Sequence, residues 1–312
     1  MRQPVRMSHR PLPPVDGRRP HWPGKQVDRL FVRRGPAEGG EPAVMVHGLG
    51  GSSTNWTDLV DVLTGAVEAE LVDLPGFGRS APPRDGRYTV GAHARAVVRH
   101  LEHSGRGPVH LFGNSLGGAV CTRLAADRPD LVRTLTLVSP ALPNLRPNRG
   151  SDPRLPLLLL PGLRALASRQ LSGRPAEQRA RAVLSLCFAD PSRVSPERVA
   201  DAVAEVQRRS ALPYSDDAFS ASLRALVGSY LVRGPQSLWG RAACVEAPTL
   251  LVWGLQDRLV DVVLSSRAVR VFTDVRLLVL EDVGHVAQME RPDVVARAFI
   301  GLLEDVQERP AA

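Results

Sequence analysis

Short apolar runs alternate with amphipathic stretches along most of the chain. The runs of strand length are Ala43–Val46, Val67–Val72, Val109–Phe112 and Leu131–Val138. Between the second and third of these, apolar residues recur at helical spacing from Thr89, a suitable N-cap, to about His103. Strands that alternate with helices predict a mostly parallel central sheet flanked by helices, which is the α/β fold class.

The pattern changes between residues 140 and 246. Helical stretches broken by proline replace the apolar runs there, at Pro175–Ala189, Ser195–Ala211 and Asp216–Val232. The alternation then resumes, with strands at Thr249–Trp253 and Arg276–Leu280 and helices at Val260–Val271 and Pro292–Val306. We therefore predict a core in two parts, residues 27–139 and 247–309, interrupted at residues 140–246 by a helical insertion that is placed to form a lid.

The positive charge is concentrated at the N-terminus. The chain has 40 basic residues, of which only Lys25 is a lysine, and a net charge of +8. Residues 1–34 alone carry nine basic and two acidic side chains, so the rest is nearly neutral and a nucleic-acid-binding face is not expected. Residues 1–26 are rich in proline and arginine and lack the apolar core of a signal peptide. We predict a basic tail there that is disordered or loosely attached, followed by an edge strand at Arg29–Arg33.

Cysteine usage and hydropathy indicate the compartment. Cys121, Cys187 and Cys244 are widely spaced and form neither a metal-binding pair nor a disulfide framework, as expected for reduced cysteines of a cytoplasmic protein. The apolar stretch Leu155–Leu163 is interrupted by proline and is far shorter than the roughly 20 residues of a membrane-spanning helix. We therefore expect no stable insertion into a membrane.

A candidate nucleophile lies in Gly113–Asn114–Ser115–Leu116–Gly117, between an apolar run and a helical stretch rich in small residues. In this strand–turn–helix context the motif forms a tight turn, with glycines where side chains would clash and a strained serine that stands clear of the sheet. The Leu116 N–H, at the start of the helix, then points to where a carbonyl oxygen would become negative. The motif predicts a nucleophile, Ser115, and half of an oxyanion hole; the alternative is a purely structural turn.

A second glycine-rich segment, His47–Gly51, directly follows the run at Ala43–Val46. We expect the Leu49 N–H to be the second oxyanion donor, with glycines on both sides that keep the approach open. The segment lacks the spacing of a phosphate-binding loop, and we expect His47 to be a structural hydrogen-bonding residue. The turn Asp73–Ser80 also has a structural explanation, in which its glycines supply positive φ angles.

Two further candidates follow the late strands. Asp257 comes after the strand Thr249–Trp253, and His285 comes after the strand Arg276–Leu280, so both belong at the sheet edge that carries Ser115. A histidine can take the serine proton near neutral pH, and a buried carboxylate can orient the imidazole and stabilise its charged form. In the alternative interpretation, Asp257 caps the next helix and His285 is a surface loop residue. Asp261 is a second candidate for the acid.

These motifs together resemble those of the α/β-hydrolase superfamily, from about Arg29 to Glu308. They are His47–Gly50, Asp73–Ser80, Gly113–Gly118, Gly254–Asp257 and Gly284–His285. The resemblance implies the α/β-hydrolase fold and a Ser115–His285–Asp257 triad that transfers an acyl group to water without a metal or an organic cofactor. It favours Asp257 over Asp261. Dehalogenases and epoxide hydrolases of this superfamily have an aspartate where this chain has Ser115.

The resemblance leaves the substrate open, and we expect a small apolar ester. One alternative is a C–C bond hydrolase of dienoates, which the segment Gly284–Glu290 resembles; those enzymes, however, have a tryptophan where this chain has Val286, and a Gly-Pro-Gly run in the oxyanion loop. Another is an inactive ligand-binding protein. Leucines of the predicted lid favour acyl groups of about four to eight carbons, since each buried methylene contributes about 0.8 kcal/mol. They are Leu155, Leu157–Leu160, Leu163, Leu166 and Leu171. The sequence does not determine the oligomeric state.

Overall fold

A nine-stranded β-sheet forms the centre of the protein in the computed structural model, which describes residues 2–14, 22–35, 39–144 and 173–308. The strands are β1 (Arg2–Gln3), β2 (Gly24–Val27), β3 (Leu30–Arg34), β4 (Glu41–Val46), β5 (Val67–Val72), β6 (Val109–Asn114), β7 (Val132–Val138), β8 (Thr249–Gly254) and β9 (Val275–Leu280). Their order across the sheet is β1-β9-β8-β7-β6-β4-β5-β3-β2. All neighbours pair in parallel except β3, which is antiparallel to both β5 and β2.

Helices pack on both faces of this sheet. They are α1 (Thr57–Val62), α2 (Val90–Ser104), α3 (Leu116–Asp127), α4 (Ala176–Cys187), α5 (Pro196–Ser210), α6 (Ser215–Ser229), α7 (Leu238–Ala242), α8 (Val263–Val271), α9 (Ala287–Glu290) and α10 (Pro292–Gln307). Short 3₁₀ turns cover Ser53–Trp56, Pro129–Leu131, Pro191–Arg193 and Gly234–Gln236. One apolar core lies between the sheet and α2, α3 and α8, and the other between the sheet and α1 and α10. The predicted α/β-hydrolase fold, with a mostly parallel sheet flanked by helices, is confirmed.

Local sequence signals set several element boundaries. The β5 strand has the predicted bounds, and α2 begins after Thr89, whose hydroxyl accepts a hydrogen bond from the Ala92 N–H at 3.1 Å. The helix ends at Gly105, which adopts a φ of 62°. The strand predicted at the sheet edge, now β3, is not at the edge, because β2 pairs with it from Gly24 to Val27. The sequence does not indicate the edge strand β2, because its residues are mostly exposed and polar.

The described part of the N-terminal segment is docked on the core, so the prediction of a disordered tail over residues 1–26 is wrong for residues 2–14 and 22–26. Arg2 and Gln3 pair in parallel with β9. Arg6 forms ion pairs with Glu304 on α10 and with Glu308 directly after it, at 3.0 and 2.7 Å. The acidic end of α10 therefore provides counter-charges for this basic segment, which the local composition does not reveal.

The described part of the insertion between β7 and β8, residues 140–144 and 173–246, contains helices joined by turns and no strand. The observed ends of helices α4, α5 and α6 differ from the predicted ends by at most three residues. The lid leucines predicted to select the acyl chain, from Leu155 to Leu171, lie outside the described residues. In the part of the chain that the structure describes, no helix is long and apolar enough to cross a membrane.

Candidate active site

Ser115 occupies a strained turn between β6 and α3. Its φ and ψ are 54° and −117°, a conformation that side-chain-bearing residues rarely adopt. The turn leaves no room for side chains at the motif glycines: a Cβ on Gly113 would lie 2.5 Å from the Gly117 carbonyl oxygen, and one on Gly117 would lie 2.2 Å from that of Val46. From Leu111 to Val120, all of which the structure describes, only Ser115 is not buried. The strain therefore presents its side chain at the surface of the site.

The segment after β7 holds this strained turn in place. The Ser115 N–H donates to the Val138 carbonyl at 3.1 Å, and the Ala141 N–H donates to the Ser115 carbonyl at 2.9 Å. A Cβ on Gly118 would come within 2.7 Å of the Pro140 side chain. Because neighbouring backbone satisfies both polar groups of Ser115, the surrounding structure can maintain a conformation that costs on the order of 1–3 kcal/mol.

His285 and Asp257 form a buried hydrogen-bonded pair. The His285 Nδ1 atom lies 2.9 Å from Asp257 Oδ2 and 3.1 Å from Oδ1. The N–H groups of Leu259 and Val260 donate to Oδ1 at 2.8 and 2.9 Å. Burial alone would raise the pKa of Asp257, but the interactions with His285 and these two N–H groups outweigh it and hold the pKa below its ordinary value. Asp257 is thus a fixed anion that orients the imidazole.

The alternatives for these loops are resolved by geometry. His285 is 4% exposed, so it is not a surface loop residue. Asp257 does cap its own turn, through Leu259 and Val260, while it also binds His285. Asp261 instead accepts a hydrogen bond from the Val263 N–H, 3.0 Å away at an exposed position. The structure therefore pairs His285 with Asp257.

The histidine loop and the nucleophile turn meet at Asn114. Its side-chain amide donates to the His285 carbonyl at 3.1 Å and to the Val138 carbonyl at 3.0 Å. Ser115, Asp257 and His285 follow β6, β8 and β9, whose carboxyl ends share one sheet edge. Among the described residues, Ser115 Oγ and His285 form no direct hydrogen bond. Catalytic hydrogen bonds of enzymes are often long without substrate and tighten in the complex.

The loop after β4 lies directly against the serine. A Cβ on Gly48 would come within 3.1 Å of the Ser115 Cβ, and the Gly51 N–H closes a turn onto the Gly48 carbonyl at 3.1 Å. Within the described part of the chain, neither the Leu49 nor the Leu116 N–H donates a hydrogen bond. Two free donors at these positions suit an oxyanion, but their role stays a prediction at this point.

His47 has the expected structural role. Its Nδ1–H donates to the Gly48 carbonyl at 2.7 Å, and its Nε2 accepts from the Leu74 N–H at 2.9 Å. These partners require the neutral imidazole, and burial lowers the pKa of His47 accordingly. Asp73 organises the adjacent turn by accepting from the Ser53 and Arg79 N–H groups. In the described residues, no three His, Cys, Asp or Glu side chains converge in a way that could hold a metal ion.

Two charged residues near the site were not predicted. The Arg209 guanidinium on α5 donates to the Gly50 carbonyl at 2.8 Å and so ties the insertion to the loop after β4. Glu290 accepts from the Gly284 N–H at 2.9 Å and from the Ala189 N–H at 2.8 Å. Nothing in the local sequence marks Arg209, whereas a glutamate that follows the mostly apolar stretch Val283–Met289 is a weak signal of a buried carboxylate.

A mostly parallel sheet with a strained serine after one strand and a histidine–carboxylate pair after two others defines the α/β-hydrolase class of proteins. A sequence profile of the α/β hydrolase fold family matches residues 42–292, and the chain belongs to that family.

Three relatives illustrate the range of activities within the family. The chain is 30% identical over 266 residues to a dihydrolipoyllysine-residue acetyltransferase component of an acetoin cleaving system from Cupriavidus necator, covering 85% of this chain but only 64% of that protein. It is 29% identical to a 2-hydroxy-6-oxononadienedioate/2-hydroxy-6-oxononatrienedioate hydrolase of a Pseudomonas species, covering 85% and 88%. It is 31% identical to a Variovorax paradoxus protein named for carbamate hydrolysis, RutD, covering 87% and 94%.

Solved structures show the same fold. The meta-cleavage product hydrolase CumD of Pseudomonas fluorescens has a TM-score of 0.70 at 18% identity, with 89% of this chain and 95% of that chain covered. A thermophilic esterase of Thermogutta terrifontis has a TM-score of 0.68 at 22% identity, with 89% and 94% covered. At these identities the likeness establishes the fold and leaves the substrate open.

Proposed function

We propose that the protein is a serine hydrolase that cleaves a carboxylic ester through an acyl-enzyme. The observation that carries this proposal is the strained, partly exposed Ser115 at the sheet edge where His285 is held by the buried carboxylate of Asp257. Acyl transfer requires an activated nucleophile, a base near neutral pH and a group that orients that base. These three residues supply those functions in the order expected for the family.

The reaction proceeds in two half-reactions. Ser115 Oγ attacks the carbonyl carbon while His285 Nε2 accepts its proton, and Asp257 stabilises the resulting imidazolium through Nδ1. The N–H groups of Leu49 and Leu116 donate to the oxyanion. His285 then protonates the departing alkoxide, after which a water molecule, deprotonated by the same histidine, releases the acid and regenerates Ser115. No step requires a metal ion or an organic cofactor.

The helical insertion serves as a lid over this site. Two residues of the insertion contact the loop after β4: Arg209 donates to the Gly50 carbonyl, and a Cβ on Gly50 would come within 3.1 Å of the Phe219 ring. A third, Arg198, donates to the Thr54 carbonyl at 3.1 Å. A cover that excludes water favours a small apolar ester over a polymeric substrate. The preference for acyl groups of four to eight carbons rests on leucines outside the described residues and stays a prediction.

A second candidate is cleavage of a C–C bond in a dienoate. It is favoured by the relative named as a 2-hydroxy-6-oxononadienedioate/2-hydroxy-6-oxononatrienedioate hydrolase and by the fold of CumD. This chain departs from that pattern directly after the histidine, where Val286 is buried in an apolar cluster with Leu184 and Phe188. Ester cleavage therefore remains the proposal, and the two activities are compared directly in the experiment.

The experiment combines active-site labelling with a substrate panel. Wild type and Ser115→Ala are treated with a serine-directed phosphonate and then assayed on esters of graded acyl length and on a vinylogous diketone acid. We expect phosphonate labelling of the wild type alone, and a loss of ester turnover in Ser115→Ala on the order of 10⁴-fold or more. Thermal unfolding of both proteins shows whether the variant is folded.

Each of the other outcomes would point to a different function or a different nucleophile. Efficient turnover of the diketone acid with negligible ester cleavage would replace the proposal with the C–C hydrolase. Labelling at a different serine would refute the assignment of Ser115. A wild type that neither reacts with the phosphonate nor turns over any substrate would be an inactive ligand-binding member of the family.

A further inference from the structure

The end of helix α4, in the insertion, is joined to the histidine loop by several direct contacts. The His285 N–H donates to the Cys187 carbonyl at 2.7 Å. A Cβ on Gly284 would lie 2.5 Å from the Cys187 carbonyl oxygen and 2.7 Å from the Ala189 nitrogen. Only glycine permits such an approach, so the two segments are packed backbone against backbone immediately before the candidate catalytic histidine.

Glu290 bridges these two segments with a single carboxylate. Its Oε1 accepts from the Gly284 N–H at 2.9 Å, and its Oε2 accepts from the Ala189 N–H at 2.8 Å. Gly284 precedes His285, whereas Ala189 follows α4 by two residues and belongs to the insertion. Both oxygens must act as acceptors to satisfy both donors. An ionised carboxylate does this with two strong acceptors, a protonated carboxyl group keeps only a weaker acceptor on its hydroxyl oxygen, and an amide has no second acceptor.

The surroundings of Glu290 oppose its charge. Burial raises the pKa of this carboxyl, and the charge of Asp257 on the loop after β8 raises it further, against the N–H groups of Ala189, Gly284 and Val286. The Cys187 thiol at the end of α4 also faces it. Burial raises the pKa of this thiol, the charges of Asp257 and Glu290 raise it further, to about 12, and the thiol therefore stays neutral. Glu290 thus takes up a proton at a higher pH than an ordinary glutamate.

We propose that Glu290 is a positioning residue that clamps the helical insertion to the loop of His285 and thereby fixes the imidazole relative to Ser115. Only the expected effect of this clamp on turnover rests on the proposed function. Both hydrogen bonds are strong while the carboxylate is ionised, and one of them is weakened when Glu290 is protonated. The insertion is then an integral part of the site, because its position and that of the histidine are set by the same side chain.

The test compares Glu290→Gln with the wild type and with Glu281→Gln. Glu281 is exposed, lies four residues before His285 and has no hydrogen bond or ion pair with another described residue, so it is a matched control. Hydrogen exchange read by mass spectrometry follows peptides that span residues 184–191 and 282–290. We expect both peptides to exchange faster in Glu290→Gln and neither to change in Glu281→Gln.

Turnover supplies a readout that a purely structural residue would not change. We expect Glu290→Gln to lower kcat about 10- to 100-fold at neutral pH, the size of losing a hydrogen bond to a charged group, with little change in KM. The ratio of wild-type to variant kcat should fall towards one as the pH is lowered, because the wild-type clamp is then protonated. Glu290→Asp, which is too short to reach both N–H groups, should behave like Glu290→Gln and serves if the latter does not fold.

Three results decide between the possibilities. Faster exchange in both peptides together with a pH-dependent ratio establishes the clamp and its role in positioning. Unchanged exchange in either peptide, or a ratio that is constant with pH, overturns it. If the wild type neither reacts with the phosphonate nor turns over any substrate, the proposed function fails while the exchange experiment still decides whether Glu290 holds the two segments together.

Discussion

Replacing Asp257 by asparagine should disable the site through one misplaced amide group. Oδ1 accepts from the Leu259 and Val260 N–H groups, so the amide oxygen of an asparagine must keep that position. The amide nitrogen then takes the place of Oδ2, the atom 2.9 Å from His285 Nδ1. Two donors would face each other, and the imidazole would avoid this by moving its proton to Nε2, where it can no longer accept one from Ser115.

The expected loss in kcat is on the order of 10⁴-fold, or roughly 5.5 kcal/mol of transition-state stabilisation, because the base is present in the wrong tautomer. The assay is ester turnover together with the rate of phosphonate labelling, both measured on protein whose thermal unfolding matches the wild type. Asp261→Asn is the matched control, four residues away and turned toward Val263. Activity within tenfold of wild type in Asp257→Asn, or an equal loss in Asp261→Asn, would refute the assignment.

Three other substitutions test the surroundings of the site. Arg209→Met removes the donor to the Gly50 carbonyl and so loosens the loop after β4 without affecting the turn of Ser115. We therefore expect about tenfold lower kcat with unchanged phosphonate labelling at Ser115, and an unchanged kcat would contradict this. Gly117→Ala forces a Cβ to within 2.2 Å of the Val46 carbonyl oxygen and should lower the free energy of unfolding, measured with denaturant, by about 3 kcal/mol; an unchanged free energy of unfolding would contradict this. Glu70→Gln should lower the free energy of unfolding by roughly 3 kcal/mol at pH 7. Burial alone would raise the pKa of Glu70, but His100, Arg106 and Arg34 outweigh it and lower the pKa to about 2 in the folded state. That contribution is complete above the pKa of the unfolded chain and disappears as the pH falls towards 2, so an equal difference at pH 7 and pH 3 would refute it.

Ser115, Asp257 and His285 could be assigned to one sheet edge from sequence alone because each lies in the turn or loop that follows a parallel strand. Parallel strands place their carboxyl ends at one sheet edge whatever their order, so convergence did not depend on knowing that β7 separates β6 from β8. The tight turn at Ser115 could likewise be expected from Gly113 and Gly117, because backbone atoms lie too close to both positions to allow a side chain. Local pattern and one rule of sheet architecture were sufficient for this part of the site.

The contacts that tie the insertion to the core were beyond such reasoning. Glu290 binds the Ala189 N–H across 101 positions of sequence, and Arg209 binds the Gly50 carbonyl across 159. Neither pairing leaves a periodicity or spacing that sequence reasoning can detect. The prediction for the N-terminal segment failed for the same reason. Its composition indicates disorder, whereas the Glu308 carboxylate that binds Arg6 lies 302 residues away, at the end of α10.

The choice between ester and C–C cleavage depends on the insertion more than on the core. Both reactions need a nucleophile, a base and an oxyanion hole, and under the proposed mechanism the same residues at the strand ends would serve either reaction. They differ in the leaving group: an alkoxide accepts a proton directly from His285, whereas a carbanion must first be stabilised as an enol, which requires polar groups around the far end of the substrate. In this chain the residue directly after His285 packs against Leu184 and Phe188 of the insertion and provides no polar group on that side. This apolar packing directly after His285 supports the proposed ester substrate, whose leaving group needs only a proton.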